Sequence, residues 1–433
     1  MSLEYDIVIV GAGPAGSAAG IVAARAGKRV LIIERGIAPG SKNMYGGVVY
    51  PRVLDELIPQ WWEEMPRQRW ITRRSTMMLT DSQAVSLDVR SAAWGEAPYN
   101  GATTLRPEFD AWLASHATLA GADLLCSTVV TGLIRDEHGI VVGVHTDRPD
   151  GDVNCTVVIA ADGVNSFLAK EAGLYPDFNP EHFTLGVKEV RSLPRETIEE
   201  RFGVRGEDGV DIEVLGATGE IPGGGFVYTN IDTIAIGLVL HLPALANQSL
   251  RPEELLARFK DHAAIATLIE GSDLVEYSAH LIPEGGYKHM PTLAGPGILV
   301  TGDAAAMCLA AGLWLEGVNF AIGSGMAAAE TALEATNPRD GSSLLNAYRK
   351  RLESNFVLAD HKKLKNIPEL VLSHRVQQIY PRLLASIAER MFTVTNPIPK
   401  EGIVSVSLEE LRKNKTKIRH VVRDAWHGWK GLK

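Results

Sequence analysis

Apolar and polar positions alternate along this chain in patterns that switch between strand and helix periods. Residues 4–10 (EYDIVIV) form an apolar, β-branched run of strand length, and SAAGIVAARAG (17–27) reads as an Ala-rich helix that stops at Gly27. A second apolar strand spans 29–33 and is closed by Glu34. LRPEFD (105–110) starts a helix with Pro early and acids in its first turn, and FDAWLASHATLA carries its apolar stripe to Gly121. Short strands follow at 123–126, 129–135, 140–147 and 153–160, the last two joined by a hairpin signal, RPDGD. From 175 to 285 strand-like runs (FTLGVKEV, FVYTN, TIAIGLVLHL) surround one predicted helix, PEELLARFKDH, which suggests an antiparallel sheet in an inserted α+β domain. Residues 291–306 return to the first domain: GPG introduces the strand ILVTG, and Asp303 follows Gly302 at its end. GLWLEGVN (312–319) leads into a small-residue helix, AIGSGMAAAETALEA. Residues 343–433 are largely helical and basic, with ends or kinks near Pro368, Pro381, Pro397 and Pro399.

Between the first strand and helix lies Gly11-Ala12-Gly13-Pro14-Ala15-Gly16, and Glu34 comes 18 positions after Gly16. Gly11 allows the tight turn, Gly13 lets backbone N–H groups approach a pyrophosphate, and Gly16 lets helix and strand pack closely. The helix start presents unpaired N–H groups and a positive dipole end to the phosphates. Glu34 would accept hydrogen bonds from ribose hydroxyls, which favours FAD or NAD over NADP.

Composition adds limits rather than chemistry. At 433 residues and 46.8 kDa, two domains or one large interleaved fold are expected. The hydrophobic share of 45% with 22% charged residues is ordinary for a globular protein. A net charge of -9 argues against a general nucleic-acid binder. The balance is uneven, however: residues 411–433 hold eight Lys/Arg against Asp424 alone, a local charge of +7. Cys126, Cys155 and Cys308 are scattered, with no CxxC, so neither a cysteine-only zinc site nor an iron-sulfur cluster is expected in this chain, and a reducing compartment is. The chain opens directly into a strand and has no apolar run of about 18 residues. The expectation is a cytosolic or peripheral protein on the cytoplasmic side of a membrane.

Two stretches admit two readings each. SKNMYGGVVYPRVL (41–54) is a surface loop with a helix cap, or a loop lining a bound flavin. Residues 55–75 hold Trp61, Trp62, Trp70 and four arginines, which suits an interface or membrane boundary, or an exterior helix with snorkelling basic stems. The chain has no GxSxG, HExxH or GxxxxGK[ST] motif, and its 12 histidines show no ligand spacing. His280 and His289 lie near a flavin-facing loop without a catalytic role being assigned to them.

GAGPAG with Glu34, ADGVNS at 161–166 and TGDAAA at 301–306 occur in the order found in the glutathione-reductase-type FAD fold of the aromatic hydroxylases, which the chain resembles. The likeness extends to SKNMYGGVVYPRVL, GGGFVYTN (223–230), IPEGGYKHMP (282–291) and GLWLEGVNFAIGSG (312–325), which together look like the FixC-type relatives of electron-transfer-flavoprotein:quinone oxidoreductase. The resemblance implies an α/β fold: a Rossmann-like FAD-binding domain interleaved with an antiparallel α+β domain, followed by a helical C-terminal part. The expected segments are 1–75, 101–170 and 286–340 for the FAD domain, 76–100 and 171–285 for the second domain, and 341–433 for the basic helical region.

Carried over to this chain, the resemblance implies FAD contacts at Gly11, Gly13, Pro14, Ala15, Gly16, Glu34, Arg35, Asn43, Gly46, Gly47, Arg106, Val130, Ala161, Asp162, Gly163, Gly302, Asp303, Gly317, Val318 and Asn319. Asp303 resembles the carboxylate that bonds the ribityl chain, and Arg106 the helix-start arginine that contacts the cofactor. The implied activity is electron transfer by FAD from an electron-transfer flavoprotein to a membrane quinone, with clusters supplied by a separate ferredoxin-like iron-sulfur subunit. Whether electrons are bifurcated stays open. A geranylgeranyl-reductase-like enzyme and an FAD monooxygenase share the three FAD motifs, though the first often carries a YxWxFP-type block where this chain has GGGFVYTN. A dinucleotide-binding protein without redox activity is the non-enzyme alternative. The basic tail with Trp426, Trp429 and Leu432, together with Trp61, Trp62 and Trp314, suggests a membrane-surface contact; the other reading of the tail is a docking arm for the ferredoxin-like subunit.

Overall fold

A computed structural model describes residues 3–42, 46–175, 179–312 and 315–432. The chain folds as two units: residues 1–68, 96–183 and 281–362 form the first, and 69–95, 184–280 and 363–433 the second.

The first unit is built on a parallel sheet. Its strands run in the order Ala294–Gly295, Ile298–Val300, Val153–Ala160, Leu3–Val10, Val30–Ile33 and Asp123–Leu125, parallel along this path except for the Ala294–Gly295 edge. Val8, Ile9, Ile32, Val158 and Ile159 are fully buried, as a sheet covered on both faces requires of continuous apolar strands. The helices Pro14–Arg25, Arg106–Leu119 and Val318–Glu334 pack on it through small residues. A Cβ at Gly325 would stand 2.0 Å from the carbonyl oxygen of Ala15, so the helix Val318–Glu334 sits against the backbone of the first helix. The hairpin signal at RPDGD is realised: Val141–Thr146 pairs antiparallel with Val153–Ala160.

The second unit holds a sheet in the order Asp273–Pro283, Phe183–Ser192, Thr233–His241, Gly223–Thr229, Asp208–Leu215, Arg69–Leu79 and Ala84–Arg90; Phe183–Ser192 through Asp208–Leu215 pair antiparallel, as do Arg69–Leu79 and Ala84–Arg90, while Asp208–Leu215 and Arg69–Leu79 pair in parallel. One face is apolar: Val187, Val210, Ile212, Val214, Val227, Ile236 and Leu238 pack with Ile198, Phe202, Leu255, Phe259 and Ile265. These last residues come from three helices, Arg195–Phe202, Pro252–Asp261 and Ala263–Ile269. Only the middle helix was expected. RETIEERF has one buried stripe two residues wide, and AAIATLI is too short to show a period.

The Trp/Arg-rich stretch departs from both sequence readings. Trp61 and Trp70 are buried at 0% and 2% exposure, and Arg69 is fully buried on the strand Arg69–Leu79. These residues are interior, not an interface belt.

The C-terminal helices Tyr380–Phe392, Ile403–Lys413 and Ile418–Leu432 are tied by ion pairs. Arg390 reaches Glu409 and Glu410 at 2.9 and 2.8 Å, and Arg375 and the Tyr380 hydroxyl both donate to Asp424. The Arg375 hydrogen bond is the chief reason that Asp424 is held down at about 2. Asp424 therefore anchors the inner side of the last helix. On its other side Ile418, Val422, Trp426 and Trp429 follow one another at helical spacing and are exposed, with Trp426 and Trp429 each at 52%. No helix among the described residues is long and apolar enough to cross a membrane.

Candidate functional site

In the first unit the strands Leu3–Val10, Val30–Ile33, Val153–Ala160 and Ile298–Val300 are mutually parallel, so the segments that follow them leave from the same edge of the sheet. Those segments are the glycine loop, Glu34, Ala161–Gly163 and Gly302–Asp303. The strand ends of an open parallel sheet are where such folds bind ligands.

The glycines of the loop do different work. Gly11 has φ +104°, and a Cβ there would lie 2.3 Å from the Ala161 carbonyl oxygen, so the first and second motifs touch through backbone. A Cβ at Gly16 would lie 1.9 Å from the Gly11 carbonyl oxygen. Gly13 is the opposite case: a Cβ there meets no protein atom within 4 Å. It is also the N-cap of the helix Pro14–Arg25 and no side chain caps that start. Open space before an uncapped, buried helix N-terminus is a cradle for an anion such as pyrophosphate.

Glu34 is nearly buried. Its Oε2 accepts the Ala12 N–H at 2.9 Å and its Oε1 the Gly36 N–H at 2.7 Å, which fixes the carboxylate beside the loop and leaves each oxygen a lone pair for a ribose hydroxyl. Arg35, next in the chain, is exposed.

Asp162 is turned to local structure. Its Oδ1 accepts from Ser166 Oγ at 2.8 Å and its Oδ2 from the Leu168 N–H at 3.3 Å, and burial raises its pKa. Ala161 donates its N–H to Val10 O, while Gly163, at φ +80°, has no protein atom within 4 Å of a would-be Cβ. Val130 opens the strand Val130–Arg135 and is half-buried.

Gly302 joins the third motif to the first, since a Cβ there would come within 2.9 Å of Ala15 Cβ. Ser324 holds this turn by accepting from Thr301 Oγ1 at 2.8 Å and the Gly302 N–H at 3.1 Å. Tyr348 donates to the Ser324 carbonyl. Neither Ser324 nor Tyr348 was expected from sequence; a lone buried Ser in a small-residue helix gives no period to read. The Asp303 charge acts on three neighbours, favouring the protonated forms of Arg106, Tyr175 and Cys308.

Arg106 forms a bidentate pair with Asp110 at 2.8 and 2.9 Å. Burial works against its charge, but Asp110 and then Asp303 outweigh it and keep it firmly cationic. Gly46 lies against the Thr104 carbonyl and Leu105 at the start of the same helix, and Gly47 begins a strand paired with Ala102–Thr104. Asn43 and Trp314 lie outside the described residues. Gly317 caps the helix Val318–Glu334; Asn319 donates through Nδ2 to Glu316, and its buried Oδ1 has no hydrogen-bond partner. A buried amide oxygen without a donor is a place for a ligand's hydroxyl or N–H.

The site thus fits a dinucleotide, with a phosphate cradle at Gly13, a fixed ribose acceptor at Glu34 and an orphaned oxygen at Asn319. Among the described residues, no group of three or more His, Cys, Asp and Glu side chains is arranged to hold a metal ion.

Three family models match the chain: "FAD binding domain" over residues 4–192, "ETF-QO, ubiquinone-binding" over 183–282, and "ETF-QO/FixC family C-terminal domain" over 367–433. Protein FixC of Azorhizobium caulinodans is 41% identical over 92% of this chain and 93% of its own. "Probable electron transfer flavoprotein-quinone oxidoreductase YdiS" of Escherichia coli is 40% identical over 90% of this chain and 91% of its own. A solved structure of a geranylgeranyl bacteriochlorophyll reductase-like protein from Thermoplasma acidophilum has the same fold, with a TM-score of 0.72 at 21% identity, covering 96% of this chain and all of that one. With a dinucleotide cradle assembled at the strand ends and relatives this similar over nearly its full length, the chain is an FAD-dependent oxidoreductase of the FixC and electron-transfer-flavoprotein:quinone oxidoreductase family.

Proposed function

We propose that this protein carries electrons from an electron-transfer flavoprotein through FAD to a membrane quinone, working with a separate ferredoxin-like iron-sulfur subunit. The observation that carries the reading is one chain in which a dinucleotide cradle is followed by a match to a ubiquinone-binding family model over residues 183–282. FAD supplies the redox chemistry when bound; the chain's residues bind, orient and shield it. Gly11–Gly16 would take the pyrophosphate, Glu34 the ribose, Asp303 the ribityl hydroxyls, and Asn319 Oδ1 a donor on the cofactor. Arg106 acts through its bidentate pairing with Asp110, and stays cationic beside the Asp303 charge. The test is reconstitution: reduced electron-transfer flavoprotein should reduce a short-chain quinone in the presence of this protein and its ferredoxin-like subunit, and not without this protein. Quinone reduction unaffected by leaving this protein out would refute the reading.

Asp303→Ala should weaken FAD binding by about 1.5–3 kcal/mol, the worth of a charge-assisted hydrogen bond, or roughly 10- to 100-fold. Titration of apoprotein with FAD measures it. Unchanged affinity with a lower unfolding temperature would make Asp303 a structural cap of the turn Gly302–Ala305 instead.

The quinone is lipid-dissolved, so its oxidoreductase must reach the membrane surface. The last helix has the surface for such a contact. Ile418, Val422, Trp426 and Trp429 form an exposed apolar stripe beside Arg419, Arg423 and Lys430, and the Lys430 ammonium lies 5.8 Å from the Trp426 ring centroid. Each cation near anionic lipid contributes about 1 kcal/mol. Trp426→Ser with Trp429→Ser should abolish flotation with anionic liposomes while Asp424 still anchors the helix. If the double variant floats normally but no longer binds the ferredoxin-like subunit, the helix is a docking arm.

A further inference from the structure

The strand Asp208–Leu215 shows two different faces. Val210, Ile212 and Val214 enter the apolar core, so Asp211 and Glu213 point to the other face. Arg74 is the register partner of Asp211 on the neighbouring parallel strand and therefore shares that face. Its Nε lies 3.3 Å from Asp211 Oδ2 and its Nη2 2.7 Å from Glu213 Oε1. Asp211 is 2% exposed, and its Oδ1 is buried without a hydrogen-bond partner. On the antiparallel side Tyr228 stands opposite Asp211 and Phe226 opposite Glu213, their rings stacked at 4.8 Å. Lys188 is on the same face but three strands away, through the registers Glu213–Phe226, Phe226–Gly237 and Gly237–Lys188.

Two carboxylates here face one guanidinium. With both ionised the cluster would bury a net negative charge and an orphaned carboxylate oxygen, and the two like charges would repel. A single proton shared between the carboxyls removes the net charge and gives the orphaned oxygen a role. Burial raises both groups; the Asp211 charge adds to the rise at Glu213, and Arg74 opposes it only in part.

We propose that Arg74, Asp211 and Glu213 form a proton-holding triad on the polar face of this sheet and that it delivers one proton to a quinone oxygen as the quinone is reduced. The delivery half rests on the quinone reading above, and both carboxylates, Asp211 and Glu213, lie within the stretch that matches the ubiquinone-binding family, with Arg74 reaching them from the neighbouring strand. Quinone becomes quinol by taking two electrons and one proton from singly protonated reduced flavin, which is left oxidised, and a second proton from the triad, where a carboxyl O–H bond breaks as a quinol O–H bond forms. The doubly ionised pair then regains its proton from solvent.

Infrared spectra of the FAD-loaded full chain at neutral pH test the shared proton. The wild type should show a protonated-carboxyl C=O stretch that shifts in heavy water. Glu213→Gln and Asp211→Asn, both near-isosteric, should each lose it, because a single carboxylate facing Arg74 ionises. Both variants should keep FAD and the wild-type unfolding temperature, reoxidise with quinone roughly 100-fold more slowly, the scale of general-acid catalysis, and lose the pH dependence of that rate. Absence of the band in the wild type overturns the triad, and a wild-type pH profile in both variants overturns its use. Wild-type protein that shows the band but reduces no quinone overturns the quinone reading and leaves the shared proton standing.

Discussion

Gly13→Val should give a folded protein emptied of flavin. A Cβ at 13 meets no protein atom within 4 Å, and the residue's φ of -74° is open to any amino acid, so neither clash nor backbone strain opposes folding. The added side chain fills the space before the helix start, where the pyrophosphate would take N–H groups. Losing two charge-assisted hydrogen bonds at about 1.5–3 kcal/mol each predicts an FAD affinity lower by roughly 100-fold or more. The ratio of flavin to protein absorbance after purification reads the loss, and circular dichroism reads the fold. Gly16→Val is the contrast, since its Cβ would overlap the Gly11 carbonyl and the fold itself should suffer. A Gly13→Val protein with a full complement of flavin would remove the phosphate cradle from the account.

Arg69→Met should destabilise the second unit more than any surface change. The Arg69 side chain is fully buried and donates to four carbonyls: Asn230 at 2.6 Å, Gly206 at 3.0 Å, Asp208 at 3.1 Å and Ile231 at 3.2 Å. It also lies 3.5 Å from Glu199. Met fills similar volume and removes every donor, which leaves buried carbonyls short of a partner although Glu199 keeps Arg195 at 2.8 Å, at a cost of about 3–5 kcal/mol. Urea unfolding followed by tryptophan fluorescence would measure it. A loss under about 1 kcal/mol would mean that water replaces the guanidinium and that the pairing is incidental.

Arg69 also shows where sequence reading stops. A run with three tryptophans and four arginines looks like a surface belt because arginine and tryptophan share amphipathic roles there. What buries Arg69 is a set of carbonyls 130 or more positions away, such as that of Asn230, which no local pattern contains. The parallel sheet and its turns were legible for the opposite reason. The strand at 4–10, the glycines and Glu34 are near neighbours in the chain, and each obeys one short-range rule. The pairing of Thr301 and Gly302 with Ser324 was hidden, since it needs the register of a helix whose small residues repeat without contrast. Asp211 and Glu213 alternate with valine and isoleucine in VDIEV and read as a solvated strand face; only Arg74 on the parallel neighbour reveals a buried cluster.

Flavin reoxidation tests the central claim most directly. The FAD-loaded protein, reduced without oxygen, is mixed in a stopped-flow instrument with a short-chain ubiquinone analogue, and the return of flavin absorbance is followed. The expected result is rapid, saturable reoxidation that rises with quinone concentration and yields one quinol per flavin. Reduced flavin that stays reduced in the presence of quinone, yet reoxidises with oxygen, would contradict it.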